Sequence, residues 1–215
     1  MKRVALLQWL GLLLLSIPLK NFAQPENLYF EHLSPNPLPH ILVWSFYQDQ
    51  EGFMWFSTYY GLVKYDGATT TIWKADSTDM DHVLRSSRIF DMHDDGQGNL
   101  WFPTVGSGLH QLNKRTGKVK VYPIDSLQAT GWDVSTSIFE DQQGILWIGS
   151  REGGLNRFDP SKGSFTHFTT RDGLPINQVN SIVGDEQGNL WLGTNNGLSR
   201  FTPATRTFFS RKQCL

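Results

Sequence analysis

Four tryptophans, Trp55, Trp101, Trp147 and Trp191, stand 46, 46 and 44 residues apart, and the residues around them keep step. Six positions before each stands an acid: Asp49, Asp95, Asp141 and Asp185. Three before each stands a glycine: Gly52, Gly98, Gly144 and Gly188. Three after come Thr58, Thr104, Ser150 and Thr194, and then the pairs Gly61 and Leu62, Gly108 and Leu109, Gly154 and Leu155, Gly197 and Leu198. A chain with such a period is built from one unit used four times. Each unit is too small to hide its own apolar faces, so the copies must stack on one another.

Within a unit the pattern is that of strands. Residues 179–183 alternate apolar and polar side chains, an Asp-x-x-Gly turn follows, and the tryptophan segment comes next. A tight turn such as 195–197 leads to a third strand at 198–201, and a fourth lies at 207–210. Its counterparts are 70–73, 119–122 and 165–168. Alternation at period two is the mark of strands, and the asparagine, aspartate and glycine between them supply turns. With 20 Gly, 14 Phe and 8 Trp in 215 residues, the composition also suits short strands joined by tight turns. A period near 45 with four strands per unit predicts an all-β chain, a β-propeller of four tandem four-stranded blades. The blades are expected at about 41–74, 87–122, 133–169 and 177–210, with a tail at 211–215. The repeated tryptophans are expected to pack blade on blade. The repeated aspartates and glycines are expected to build the turns, the carboxylates accepting backbone N–H bonds.

The N-terminus is a separate signal. Lys2 and Arg3 precede an apolar run at 4–19 interrupted by Gln8 and Gly11, and Ala23 offers a cleavage point before Gln24. Residues 1–23 read as a secretory signal peptide. The other reading is a membrane anchor, but the core at 10–19 is shorter than the roughly 20 apolar residues a spanning helix needs. The expected product is periplasmic or secreted, with no membrane span after cleavage. Residues 24–40 form an N-terminal segment, in which 27–33 resemble a fourth strand of the kind that closes a ring. The last repeat already has its own fourth strand, so this one is surplus. The expectation is an open or incomplete ring, the alternative being a closed four-bladed one. An open arc leaves a blade face and strand edges bare and favours self-association.

Chemistry is sparse. Cys214 is the single cysteine, which excludes an internal disulfide and cysteine-based metal sites. The six histidines, His32, His40, His82, His93, His110 and His167, never stand in metal-protease spacing and do not recur in register. The run His93, Asp94 and Asp95 reads as a polar turn, and Asp79 to His82 has too few placed ligands for a calcium loop. No catalytic residues, metal or cofactor are expected. A net charge of −1 without a basic stripe argues against nucleic acid.

The fourth repeat, INQVNSIVGDEQGNLWLGTNNGLSRFT, resembles the two-component regulator propeller repeat. The opening YFEHLSPNPLPHILVWSFYQDQEGFMWFSTYYGLVKYDG is similar to the start of the periplasmic sensor region of hybrid two-component histidine kinases of Bacteroidetes type. The resemblance covers nearly all of residues 28–210. It implies a sensory propeller, which in that family often responds to glycans and precedes a membrane helix and a kinase. Neither a kinase motif nor a second apolar span stands in these 215 residues, so any kinase activity would belong to a missing C-terminal part.

A propeller has two ends. One carries the repeated Asp-x-x-Gly turns. The other carries the turns between second and third strands, together with the connectors, and these differ from repeat to repeat. Scaffold residues repeat, whereas recognition residues need not, and variable loops on a rigid sheet are where ligands are read. The candidate ligand-binding residues are Tyr59, Tyr60 and Trp132, to stack on sugar rings, with Arg151, Glu152, Asn195 and Asn196 to bond hydroxyls. The leading expectation is an extracytoplasmic ligand-sensing propeller of a two-component signal transduction system, truncated before its kinase. The glycan, or another periplasmic ligand, would be its partner. The alternative is a stand-alone secreted propeller that binds a protein or polysaccharide. An enzyme is the third class, and no convergent acid–base pair supports it.

Overall fold

The structure is a computed structural model that describes residues 42–59, 61–74, 88–123 and 135–210. All of these belong to one compact unit, Pro35–Leu215. The signal-peptide, N-terminal and tail assignments, with Tyr60 and Trp132, lie outside the described residues.

Among the described residues sixteen strands form four antiparallel sheets, each with its strands in chain order. Blade 1 is β1 (Val43–Gln48), β2 (Met54–Thr58), β3 (Gly61–Tyr65) and β4 (Thr70–Trp73). Blade 2 is β5 (His93–Asp94), β6 (Asn99–Thr104), β7 (Gly108–Asn113) and β8 (Val119–Tyr122). Blade 3 is β9 (Ser135–Glu140), β10 (Leu146–Ser150), β11 (Leu155–Asp159) and β12 (Ser164–Phe168). Blade 4 is β13 (Val179–Gly184), β14 (Leu190–Thr194), β15 (Gly197–Thr202) and β16 (Thr207–Ser210). The only helical element among the described residues is a single 3-10 turn, Thr170–Asp172.

Alternation gives each blade two apolar faces, and three apolar clusters join successive blades. Trp55 and Leu62 of blade 1 pack with Ile89, Leu100, Phe102 and Leu112 of blade 2. Trp101 and Tyr122 of blade 2 pack with Ile138, Leu146, Ile148 and Phe158 of blade 3. Trp147 and Phe168 of blade 3 pack with Leu190, Leu192 and Phe201 of blade 4. The rule is constant: a tryptophan on the second strand is covered by the flanking apolar residues of the next blade's second strand. Burying one such side chain contributes about 1.5–3 kcal/mol or more, so each blade is held chiefly by its neighbour. No apolar cluster among the described residues joins blade 4 to blade 1, and none of the four sheets closes on itself. Hence Trp55, Trp101 and Trp147 are 0%, 3% and 1% exposed while Trp191 is 38% exposed.

The inner strands share an irregularity. The register skips one residue between Val43 and Ser45, between Ser135 and Ser137 and between Val179 and Ser181, which makes a β-bulge at Trp44, Thr136 and Asn180. In blade 2 the ladder is shorter still. Only His93 and Asp94 pair with β6, and Ile89 makes an isolated bridge to Thr104. The reason is Pro103, which stands where the other blades have Ser57, Gly149 and Gly193 and has no N–H to give.

Candidate functional site

One end of the blades is scaffold. In each Asp-x-x-Gly turn one carboxylate oxygen accepts two backbone N–H groups. Asp95 Oδ1 takes those of Gln97 at 2.8 Å and Asn99 at 3.0 Å, and Asp49, Asp141 and Asp185 do the same. The other oxygen accepts the indole N–H of the repeated tryptophan. The distances are 2.8 Å for Trp55, 3.0 Å for Trp101, 2.7 Å for Trp147 and 3.0 Å for Trp191. One side chain therefore fixes both the turn and the tryptophan, whose N–H would otherwise be buried without a partner. Gly98 closes its turn at φ 93, where only glycine is unstrained. Burial raises the Asp95 carboxyl, but bonds from Asn99 and Trp101 outweigh it and hold it below the usual range.

Sequence reasoning gave these aspartates backbone partners only. The indole bond was legible in the fixed spacing of six between an acceptor and a donor that recur together. A cleft of about 250 Å³ lies at this end between the turns of blades 3 and 4, lined by Phe139, Glu140, Asp141, Asp185, Glu186 and Asn189 among others.

The other end is where the blades differ. The turn after β6 bonds to the incoming connector, Val105 N–H donating to Arg88 O at 3.2 Å, and Gly154 N–H donates to Asn177 O at 2.9 Å. Turns and connectors thus share this end, as the antiparallel order requires. Thr58, Ser150 and Thr194 brace the turns by donating to Gly61 O, Gly154 O and Gly197 O. Tyr59 on blade 1 is 42% exposed, and the guanidinium of Arg88 lies 5.7 Å from its ring. Arg151 and Glu152 on blade 3 and Asn195 and Asn196 on blade 4 are exposed. Asn180 Nδ2 donates to Asn195 Oδ1 at 2.7 Å.

The bulge row adds residues that the sequence reading passed over. Eleven positions before each tryptophan stand Trp44, Phe90, Thr136 and Asn180, one per blade and all different. Trp44 and Phe90 meet edge to face at 4.6 Å, with Trp44 half-exposed. Asn180 reaches the candidate Asn195, and Thr136 donates its hydroxyl to Val179 O. The signal that could have found them is a register position that fails to repeat.

The next position inward is Ser45, Asp91, Ser137 and Ser181. Asp91 ties three blades together. Ser45 Oγ donates to its Oδ1 at 3.3 Å, and Ile138 N–H donates to its Oδ2 at 3.0 Å. Burial raises its carboxyl above the usual range. His93 Nε2 lies 2.6 Å from Glu140 Oε2, and Lys114 Nζ lies 2.5 Å from Asp94 Oδ2. The histidine–aspartate run is thus spent on protein partners. No group of three or more His, Cys, Asp or Glu among the described residues is placed to hold a metal ion. Nor is any described helix long and apolar enough to cross a membrane.

Four like sheets, stacked face to face through a repeated tryptophan, define a β-propeller of four blades. Residues 37–60, 132–152 and 173–196 match the family model of the two component regulator propeller. The matched segments fall in the first, third and fourth repeats. The second is the one that carries Asp91, His93 and Pro103.

None of the curated proteins matches the chain. Among solved structures, it is similar to the extracellular domain of BT4673 from B. thetaiotaomicron, there assigned to a one component system. The likeness has a TM-score of 0.67 and 27% identity over 79% of this chain and 25% of that one. The extracellular domain of BT3049 from the same organism, assigned to a hybrid two component system, follows. Its TM-score is 0.64 at 24% identity, over 83% of this chain and 31% of that one. The WD40 β-propeller domain of Doa1 shares the fold at 13% identity, TM-score 0.57, over 80% of this chain and 51% of that one. The chain therefore spans a quarter to a third of the length of its B. thetaiotaomicron relatives.

Proposed function

We propose that the chain is the ligand-sensing propeller of an extracytoplasmic sensor in a two-component signal transduction system, and that it reads a glycan at the end where its blades differ. The observation that carries this reading is the contrast between the two ends. The Asp-x-x-Gly end repeats in residue and in hydrogen bond, whereas the other presents Trp44, Phe90, Tyr59 with Arg88, Arg151, Glu152 and the Asn180–Asn195 pair, none of which repeats. Aromatic faces stack on sugar rings, and amide and charged groups bond their hydroxyls, which is the mix a polar, ring-shaped ligand needs. The likeness to extracellular domains of B. thetaiotaomicron sensors supports the class and the location. In this reading the chain is the sensor part of a longer arrangement, and the phosphotransfer chemistry belongs to a kinase outside these residues.

The test is a glycan array followed by titration calorimetry with the best oligosaccharide. Tyr59→Ala, Trp44→Ala and Arg151→Ala should each weaken binding roughly tenfold, about 1.4 kcal/mol. Glu186→Gln, in the cleft at the opposite end, should leave it unchanged. No binding to any oligosaccharide, or loss only with Glu186→Gln, would overturn the reading.

A further inference from the structure

Successive blades face each other through a pair of side chains near the Asp-x-x-Gly end, and one junction lacks it. The pair sets the residue eight before one tryptophan against the residue seven before the next. Between blades 1 and 2 the Tyr47 hydroxyl faces the Asp94 carboxylate, which also takes Lys114 Nζ at 2.5 Å. Between blades 2 and 3 His93 Nε2 lies 2.6 Å from Glu140 Oε2. Between blades 3 and 4 the same positions hold Phe139 and Gly184, a ring with no polar atom and a residue with no side chain. A Cβ at Gly184 would lie 2.5 Å from Phe139 Cζ, so the ring occupies the space of the missing partner.

The cleft of about 250 Å³ lies at this third junction. Its lining joins the half-buried Phe139 to four acids, Glu140, Asp141, Asp185 and Glu186, and includes no lysine or arginine. Asp141 and Asp185 are spent on their turns and tryptophans, and Glu140 gives one oxygen to His93. Glu186 is exposed, and its carboxylate has no hydrogen bond or ion pair among the described residues. An aromatic wall under a negative rim suits a planar cation on an apolar stem. A guanidinium stacks on aromatic rings and bonds carboxylates through a fixed fork of donors. Sites for whole small-molecule ligands run to about 300–1,000 Å³, so a cleft below that range suits a single side chain.

We propose that the cleft between blades 3 and 4 takes an arginine side chain of a partner polypeptide, with its guanidinium at Phe139 and Glu186. The occupant enters where the junction's own polar pair is missing, and charge complementarity selects it. The site lies at the end opposite the variable turns, and it does not rest on the glycan reading.

The test is calorimetric titration of the purified full chain with a capped Gly-Arg-Gly peptide, its citrulline counterpart and butylguanidinium. Citrulline keeps the shape of arginine and loses the charge. The arginine peptide should bind roughly tenfold more tightly than the citrulline peptide, and added salt should weaken it. It should also bind more tightly than butylguanidinium, because the peptide backbone adds contacts at the mouth. Glu186→Gln, at an exposed position, should weaken the arginine peptide roughly threefold. Phe139→His with Gly184→Glu rebuilds the pair of the preceding junction and should abolish binding, with far-UV dichroism unchanged. If that double variant misfolds, Glu186→Gln still decides. No binding, equal binding of the citrulline peptide, or indifference to Glu186→Gln would overturn the proposal. Butylguanidinium binding as tightly as the peptide would overturn the polypeptide as occupant in favour of a free solute. Glycan binding is titrated separately and at the other end, so the two proposals fail independently.

Discussion

Asp95 uses each of its carboxylate oxygens twice, on Gln97 and Asn99 backbone N–H and on the Asn99 and Trp101 side chains. An amide in its place would turn a donor toward one of those donors. Asp95→Asn should therefore cost about 1–3 kcal/mol in a urea melt, the range for leaving a buried donor unpaired. Charge sets the pH profile. Asp95 and Asp185 are held below the usual carboxylate range. Their contribution is complete above roughly pH 4, the ordinary aspartate value, and is lost as pH falls through their lowered folded values. Asp91 has the opposite sign. Its raised folded value means that stability declines as pH climbs from roughly 4 through that value. Burial holds the His167 ring below its usual range, so its contribution is lost as pH falls below roughly 6.5, and the Asp91 effect is read by difference from a variant. Melting temperature of the unaltered chain minus that of Asp91→Ser, which installs the residue of the other three repeats, should grow as pH falls from 7 toward roughly 4.

Elements differ where one residue breaks the repeat. Gly149 on β10 lies under the inner strand, and a Cβ there would come within 2.7 Å of Ser137 Oγ and 2.9 Å of Val179 O on the next blade. The hydroxyl can turn away but the carbonyl cannot. Gly149→Ala should lower stability by about 1–3 kcal/mol, the usual cost of overpacking, read as a shift in the denaturant midpoint. Blade 1 carries Ser57 at this position, and its hydroxyl takes the Ser45 backbone N–H at 2.9 Å. Strand positions were legible from alternation and turn residues, because a sheet that is buried on both faces must follow period two. The bulges were not. A one-residue register skip leaves no mark in a single repeat. It shows only in the ladder, which then reveals Trp44, Phe90, Thr136 and Asn180 as a row.

Over the whole molecule, stability depends on which blades have a neighbour. Trp147 sits at 1% exposure against Phe168 and Phe201, so Trp147→Ala should cost about 3–5 kcal/mol in a chemical melt. Trp191→Ala should cost clearly less, since that side chain is 38% exposed and no described blade covers it. Equal costs would mean that the face is covered. The sequence by itself determined the all-β propeller class, the strand order and the register of the tryptophans, because periodic burial is written into periodic residues. The residues that do not repeat were readable as candidates, but their meeting was not: Trp44 with Phe90, Tyr59 with Arg88 and Asn180 with Asn195 come together only when separate blades are stacked. That Asp91 joins three blades, and that Trp191 is partly exposed while its three equivalents are buried, was likewise decided by the tertiary structure. A contact between repeats depends on which faces meet in space, and identical residues have different fates when only some of them meet another described blade.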